Sequence, residues 1–148
     1  KRGISLAVNQ VHYSLLNRKI ETNGIMDTAK ELGVTIIAYS PVERGLLTGK
    51  YHKDPGLLDR MSGWRKASMQ RNLERSRPLI NTMDKIAAKY EITIAQVALN
   101  WLINFNGEIV VTIPGATKVR QVEQSAGAMK FLLSKDEMSR LDEESRNL

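Results

Sequence analysis

The sequence VTIIAY, residues 34–39, decides the fold, and it is followed directly by Ser40 and Pro41. The run opens with four consecutive β-branched residues and is almost wholly apolar. Such strands are typical of parallel sheets in which both faces are covered. A second β-branched run, residues 109–113, ends at a Pro-Gly pair. The two runs therefore predict buried strands of a parallel sheet.

Segments with helical periodicity separate and follow these strands. The predicted elements are a short strand within residues 5–16, helices over 25–32, 79–90, 94–105 and 119–129, and a last helix that begins at Ser134. Gly33 is placed to end the first helix in a left-handed conformation, Thr93 is a predicted N-cap, and Ser134 forms a capping box with Glu137. Residues 42 to about 68 are predicted to form a long irregular loop. Strands that alternate with helices indicate parallel α/β architecture.

The composition excludes several classes of function. The 148 residues are 42% hydrophobic and 26% charged, as in folded globular chains, and the absence of Cys excludes a disulfide scaffold, a thiolate metal site and a cysteine nucleophile. Two His leave little basis for a zinc site, and no apolar run approaches the roughly 20 residues of a membrane span. The N-terminal residues lack a signal-peptide pattern, so we expect a cytoplasmic location and neither a metal nor a membrane partner.

The net charge of +6 is concentrated between Arg60 and Arg77. A basic balance suits nucleic acid, an anionic membrane or a phosphate-bearing ligand. A solvated helix and loop is the simplest interpretation of such a charge run. Trp64 is the one aromatic residue in the segment, which gives little support to a platform for stacking nucleic-acid bases.

Ligand-binding groups in parallel β/α folds gather at the carboxyl ends of the strands. Here the ends carry amides, hydroxyls and small residues, at positions 9–10, 39–42 and 114–117. Neither an acid–base pair nor a nucleophile–base pair accompanies them. The strand ends therefore predict a ligand cradle rather than a catalytic centre.

Two of the loops suit a phosphate group. Residues 45–51, GLLTGKY, depart from the Walker spacing and lack the hydroxyl after Lys, yet they close a glycine-containing loop on Lys50. Residues 114–117 lead directly into a helix, whose N-terminal N–H groups and dipole favour an anion. No G-x-G-x-x-G motif occurs, so a Rossmann fingerprint is excluded.

Four segments together carry a resemblance to a known family. They are VNQVHYSLL (8–16), IIAYSPVERGLLTGKY (36–51), TIAQVALNWLI (93–103) and VVTIPGATKVRQVEQSAGA (110–128). In this order and spacing they resemble the C-terminal part of the aldo-keto reductases, closest to bacterial, plant and potassium-channel β-subunit members. The resemblance implies strands six to eight of a (β/α)₈ TIM barrel, with residues 1–3 as the end of the fifth helix. Because a barrel needs about 250 residues, residues 1–148 are expected to be a partial domain, incomplete on its own.

The resemblance also implies an NADP(H) site. Gln10 matches the amide that binds the nicotinamide carboxamide, and Tyr39 matches the aromatic residue that stacks on the nicotinamide ring. The loop over the pyrophosphate corresponds to Ser40, Pro41, Val42 and Gly45, and basic phosphate contacts correspond to Lys50 and Arg60. The 2′-phosphate and adenosine contacts correspond to Gly115, Thr117, Gln121, Gln124 and Ser125. Ser125 stands where Asn is commoner and Gly115 where some reductases have Lys, so NADP is favoured over NAD only through Thr117, Lys50 and Arg60.

The catalytic Asp-Tyr-Lys-His tetrad of the family lies in the first half of the barrel, and no position of this chain matches it. His12, Tyr13 and Tyr51 stand in the wrong segments, and His12 is interpreted as a structural strand-end residue. The first functional hypothesis is therefore the cofactor-binding part of a reductase that acts on small-molecule aldehydes or ketones. The alternatives are a regulatory NADP(H)-binding module without activity and, remotely, a basic nucleic-acid-binding protein. The sequence indicates neither the carbonyl substrate nor the oligomeric state.

Overall fold

Three parallel strands form the centre of the fold: β1 (Val8–His12), β2 (Thr35–Tyr39) and β3 (Val110–Ile113). The computed structural model describes Gly3 and residues 5–148, so the predicted remnant of a preceding helix at residues 1–3 lies almost wholly outside the described residues. The strand order is β1-β2-β3, and Tyr39 pairs with His12 on one side and Ile113 on the other. The predicted parallel sheet is confirmed, and its carboxyl ends form one edge.

The two faces of the sheet have different environments. One face carries Ile36, Ala38 and Val110, which are buried beneath helices. The opposite face carries apolar side chains that are 41–47% exposed, namely Val8, Tyr39, Val111 and Ile113. The prediction that both faces are buried is therefore wrong for the described residues, because their helices form a single layer.

All the helices of the described residues except the short second one follow the predicted order. The helices are α1 (Ile25–Leu32), α2 (Lys50–Lys53), α3 (Gly63–Lys89), α4 (Ile94–Asn104), α5 (Val119–Gly127) and α6 (Lys135–Arg146). Gly33 adopts φ 64° after α1, Thr93 caps α4 in a capping box with Gln96, and Ser134 forms the predicted box with Glu137. Within the described part of the chain, no helix is both long and apolar enough to cross a bilayer.

The predicted loop at residues 42–68 is wrong in two respects. Short 3₁₀ turns, Glu43–Thr48 and Pro55–Arg60, flank α2 within it, and α3 begins at Gly63. The first turns of α3 carry few buried side chains, so the apolar stripe that marks the helix in the sequence starts too late. The basic side chains of Lys66, Arg71, Arg75 and Arg77 consequently lie on a helix and not in a loop.

Helix α4 supplies the centre of the core. Its predicted apolar stripe is confirmed at Ile94, Val97, Ala98, Trp101 and Leu102, which are buried, whereas Phe105 at its end is half-buried. Trp101 has no exposed surface, and its ring stacks on that of Phe105 with centroids 4.3 Å apart. Helix α4 thus fixes both the sheet and the helices that pack around it.

Glu137, in the capping box of α6, makes the stability of the fold depend on pH in the acid range. Burial of Glu137 disfavours its charge, but hydrogen bonds from Lys89, the Ser134 backbone and Tyr90 outweigh this effect and lower its pKa from 4.5 to about 2. A lowered pKa stabilises the folded state above the unfolded pKa, and this contribution disappears as the pH falls from 4.5 towards 2.

We therefore expect Glu137→Gln to lower the free energy of unfolding by about 1–3 kcal/mol at pH 7, and by progressively less below pH 4.5. Urea unfolding at several pH values measures this difference. Glu143→Gln, at an exposed position of the same helix, is the matched control and should show no such pH dependence. An equal loss for Glu137→Gln at pH 7 and pH 2 would contradict the assignment.

Candidate functional site

A cavity of about 620 Å³ lies at the carboxyl ends of β1 and β2. The strand ends contribute His12, Tyr39 and Ser40, and the opposite wall comes from Met61, Trp64 and Met69 at the beginning of α3 and just before it. Polar groups from the strands therefore face an apolar and aromatic wall. Glu43, Arg44 and Asn72 add polar and charged lining, so the cleft combines apolar and polar groups, as small-molecule sites do.

Gln10 and Tyr39 project from the same sheet face. Gln10 pairs with Ile37, and Tyr39 follows two residues later on the neighbouring strand, so the two side chains are diagonal neighbours. Both residues are exposed, Tyr39 with 41% of its surface accessible. The structure therefore brings these two predicted residues close together, and of the two only Tyr39 lines the cavity.

The loop that leaves β2 has an unusual backbone. Ser40, Glu43 and Arg44 have φ between 47° and 53°, and Gly45 has φ 91°. Left-handed conformations of non-glycine residues carry strain that the surroundings must offset, and they concentrate at functional sites. Pro41 and Gly45 are buried and Val42 packs against the core, so this loop is fixed in place.

Gly45 and Lys50 lie against each other. A Cβ atom on Gly45 would stand 2.9 Å from Lys50 Nζ, which also lies 4.6 Å from the Tyr51 ring centroid. The Lys50 side chain therefore lies against the strained loop, and its contact with a phosphate stays a prediction. Arg60 is exposed at the end of the Pro55–Arg60 turn and does not line the cavity, although the next residue, Met61, does.

The loop after β3 forms a separate group of predicted residues. Gly115 and Thr117 are exposed, and the Gln121 Oε1 atom accepts hydrogen bonds from the backbone N–H groups of Thr117 (2.7 Å) and Lys118 (3.1 Å). The N–H groups predicted to bind an anion are thus already hydrogen-bonded to the side-chain amide of Gln121. None of these residues lines the cavity beside Tyr39.

Gln124 and Ser125 lie further along α5 and are half-buried. Ser125 lines a second cavity of about 440 Å³ between β3 and α5, whose walls include Leu99, Val111 and Met129. Of these two predicted adenosine contacts, Ser125 therefore borders a mainly apolar groove, and Gln124 does not line it. The structure does not bring them to the strand-end cavity.

One cluster at the site escaped the sequence analysis. The Glu43 Oε1 atom lies 2.7 Å from His12 Nε2 and accepts a 2.6 Å hydrogen bond from Ser14 Oγ, while Asn17 Nδ2 lies 2.6 Å from His12 Nδ1. Glu43 stands 31 residues from His12, so no local spacing pattern could have indicated this pair.

Comparison with known proteins places this geometry in a family. The family model described as "Aldo/keto reductase family" matches residues 1–146. The chain belongs to the aldo/keto reductase family. It is 32% identical over 143 residues to "Probable pyridoxal reductase 2" of Schizosaccharomyces pombe, covering 91% of this chain and 42% of the relative. It is 37% identical over 141 residues to the chloroplastic pyridoxal reductase of Arabidopsis thaliana, covering 95% and 37%.

Solved structures of the family have the same arrangement of elements. A thermostable aldo-keto reductase in complex with the inhibitor epalrestat has a TM-score of 0.68 and 28% identity, over 93% of this chain and 39% of that chain. An aldo/keto reductase from Klebsiella pneumoniae in complex with NADP and acetate has a TM-score of 0.64 and 28% identity, over 93% and 38%.

This aldo/keto reductase chain spans about two fifths of the length of the relatives it matches. Its strands and helices are therefore part of a (β/α)₈ barrel. The uncovered sheet face lies opposite the helices, and in a barrel that face points to the interior. The partial exposure of the apolar residues on this face is thus explained by the fold of the family.

Proposed function

We propose that this chain forms the NADP(H)-binding part of an aldo-keto reductase that reduces an aldehyde or ketone. The observation that carries the proposal is the exposed Tyr39 ring at the end of β2, directly before the strained loop on which Lys50 folds. The related Klebsiella pneumoniae reductase, solved in complex with NADP, supports the choice of cofactor.

The residues present fit a phosphorylated dinucleotide. Tyr39 would hold a flat ring by stacking, Gln10 would hydrogen-bond its carboxamide, and Lys50 would neutralise phosphate charge above Gly45. Gly45 leaves room for Lys50 Nζ that a larger residue would fill. Bound NADPH supplies the hydride of the reduction.

The adenosine end would lie over the loop after β3. Thr117 N–H and hydroxyl groups, exposed beside the start of α5, suit a 2′-phosphate once Gln121 turns away. Ser125 lines the groove between β3 and α5, and Gln124 precedes it on the helix. The proposal thus uses both groups of residues that the structure separates, joined by an extended ligand.

Titration of the protein with NADPH tests this assignment. We expect Tyr39→Ala to weaken binding about three- to tenfold through loss of ring stacking, and Tyr39→Phe to bind like the wild type. Lys50→Met should weaken binding about tenfold at low salt, and less at high salt because screening reduces the lost attraction.

Lys53→Met is the matched control for Lys50, because Lys53 lies on the same short helix but pairs with Asp84 at 3.0 Å. Failure of the wild-type protein to bind NADPH, or equal effects of the two lysine variants, would refute the proposed site. Tight NADPH binding by a protein that reduces no member of a panel of aldehydes and ketones would favour the regulatory module instead.

A further inference from the structure

His12 stands beside Tyr39 at the carboxyl edge of the sheet. The two residues are direct partners across β1 and β2, and their rings stack with centroids 5.1 Å apart and planes 14° from parallel. Side chains of paired residues on one sheet face are the closest neighbours that a sheet offers. The plane of the Tyr39 ring is therefore set in part by the plane of the His12 ring.

Both nitrogens of the His12 ring are engaged. Asn17 Nδ2 can only donate, so His12 Nδ1 accepts its hydrogen bond and carries no proton. His12 Nε2 then carries the proton and donates a hydrogen bond to Glu43 Oε1. Because both nitrogens are hydrogen-bonded to other side chains, the imidazole has no free ring nitrogen for a ligand in the cavity.

The partners of His12 are themselves fixed. Glu43 Oε1 also accepts from Ser14 Oγ, and Ser14 is fully buried. The Ser14 hydroxyl in turn accepts the backbone N–H groups of Leu16 and Asn17 at 3.2 and 3.1 Å. These bonds tie the loop after β1 to the strained loop after β2, at the residue where φ is 47°.

We propose that His12, clamped by Asn17 and Glu43, is a positioning residue that holds the Tyr39 ring in the plane required to stack on nicotinamide. This inference rests on the proposed NADP(H) site. It assigns Glu43 the task of fixing His12, and it accounts for the strain at Glu43 as the backbone geometry that aims its carboxylate at the end of β1.

Two probes distinguish positioning from general support of the fold. NADPH contains the nicotinamide ring, whereas adenosine 2′,5′-bisphosphate contains only the phosphorylated adenosine end. We expect His12→Leu to weaken NADPH binding about three- to tenfold, the value of one lost aromatic stack. Binding of the bisphosphate should be unchanged, because that ligand makes no contact with the Tyr39 ring.

Variants of Glu43 provide a second, independent test. Glu43→Gln keeps an oxygen that can accept from both His12 and Ser14, so it should bind NADPH like the wild type. Glu43→Ala removes this acceptor and should reproduce the selective loss of His12→Leu. If His12→Leu fails to fold, as judged by circular dichroism, the Glu43 pair decides the question.

The two probes separate the positioning role of His12 from the proposed NADP(H) site. Equal weakening of both probes by His12→Leu, or unchanged NADPH binding by both His12→Leu and Glu43→Ala, would overturn the positioning role while leaving the NADP(H) site intact. Failure of the wild-type protein to bind either probe would instead overturn the proposed function. A selective loss of NADPH binding that Glu43→Gln does not share supports the inference.

Discussion

Replacement of Trp101 by alanine is expected to lower the free energy of unfolding by about 3–5 kcal/mol, the cost of emptying a large buried aromatic site. Trp101 is fully buried, stacks on Phe105 and donates its indole N–H to the Met138 carbonyl at 3.2 Å. Since small domains are stable by only about 5–15 kcal/mol, this single change removes a large share of the stability.

The loss should also disturb the region around β1. The guanidinium group of Arg18 lies 4.8 Å from the centroid of the Trp101 ring and pairs with Glu21 and Asp142. The Trp101 ring thus holds Arg18 in an ion-pair network that joins the turn after β1 to α6. Truncation of Trp101 therefore leaves a cavity beside buried charges, where collapse of the surroundings is difficult.

Urea unfolding followed by far-ultraviolet circular dichroism measures this effect without relying on tryptophan emission. Trp101→Phe keeps an aromatic ring and should cost less than Trp101→Ala. Leu32→Ala, at a side chain that is 66% exposed, is the surface control and should change stability by less than about 0.5 kcal/mol. A similar midpoint for Trp101→Ala and Leu32→Ala would contradict the central role of Trp101.

The second large effect is expected at Asn100, a polar residue without exposed surface in the middle of α4. Its Nδ2 atom donates to the carbonyls of Ala128 (2.8 Å) and Phe131 (2.7 Å), and its Oδ1 atom accepts the Leu133 N–H at 3.3 Å. One side chain thus satisfies three backbone groups in the segment between α5 and α6.

Asn100→Asp keeps the shape of the side chain and removes both amide donors. We expect a loss of about 3 kcal/mol, because the carbonyls of Ala128 and Phe131 are left without these donors and each unpaired group costs about 1–3 kcal/mol. Asn104→Asp is the matched control on the same helix, since its amide donates only to the Asn100 carbonyl at 2.8 Å.

Urea unfolding and hydrogen exchange together test the Asn100 prediction. Amides of residues 128–133 should exchange faster in Asn100→Asp than in Asn104→Asp, whereas those of β2 should be affected less. The local change matters for function because α5, which ends at Gly127, carries the proposed adenosine contacts. Equal exchange of residues 128–133 in the two variants would refute the role assigned to Asn100.

Local signals in the sequence were sufficient for most of the elements. β-branched runs located β2 and β3, and the capping residues Thr93 and Ser134 located the starts of α4 and α6. These features depend on neighbours in sequence, so the chain displays them directly. The start of α3 was missed because its first turns bury too little apolar surface to show a stripe.

The functional residues show the same difference between local and long-range signals. The exposed Tyr39 and the Gly45–Lys50 approach were expected from one continuous segment. Contacts between distant segments carry no such signal: His12 meets Glu43 over 31 residues, and Asn100 meets Phe131 over 31 residues. Only the fold brings these partners together, which is why the polar network at the strand ends emerged from the structure alone.

An anion that bound at the start of α5 would have to displace the side-chain amide of Gln121. Its oxygen already accepts the N–H groups of Thr117 and Lys118 and the Thr117 hydroxyl, so an incoming phosphate oxygen would replace existing hydrogen bonds rather than add to their number. The free energy of capture is then the difference between a charged and a neutral acceptor, and a charged acceptor forms the stronger bond. A neutral ligand would gain little there, so the proposed phosphate contact would favour a negatively charged ligand even without a basic side chain.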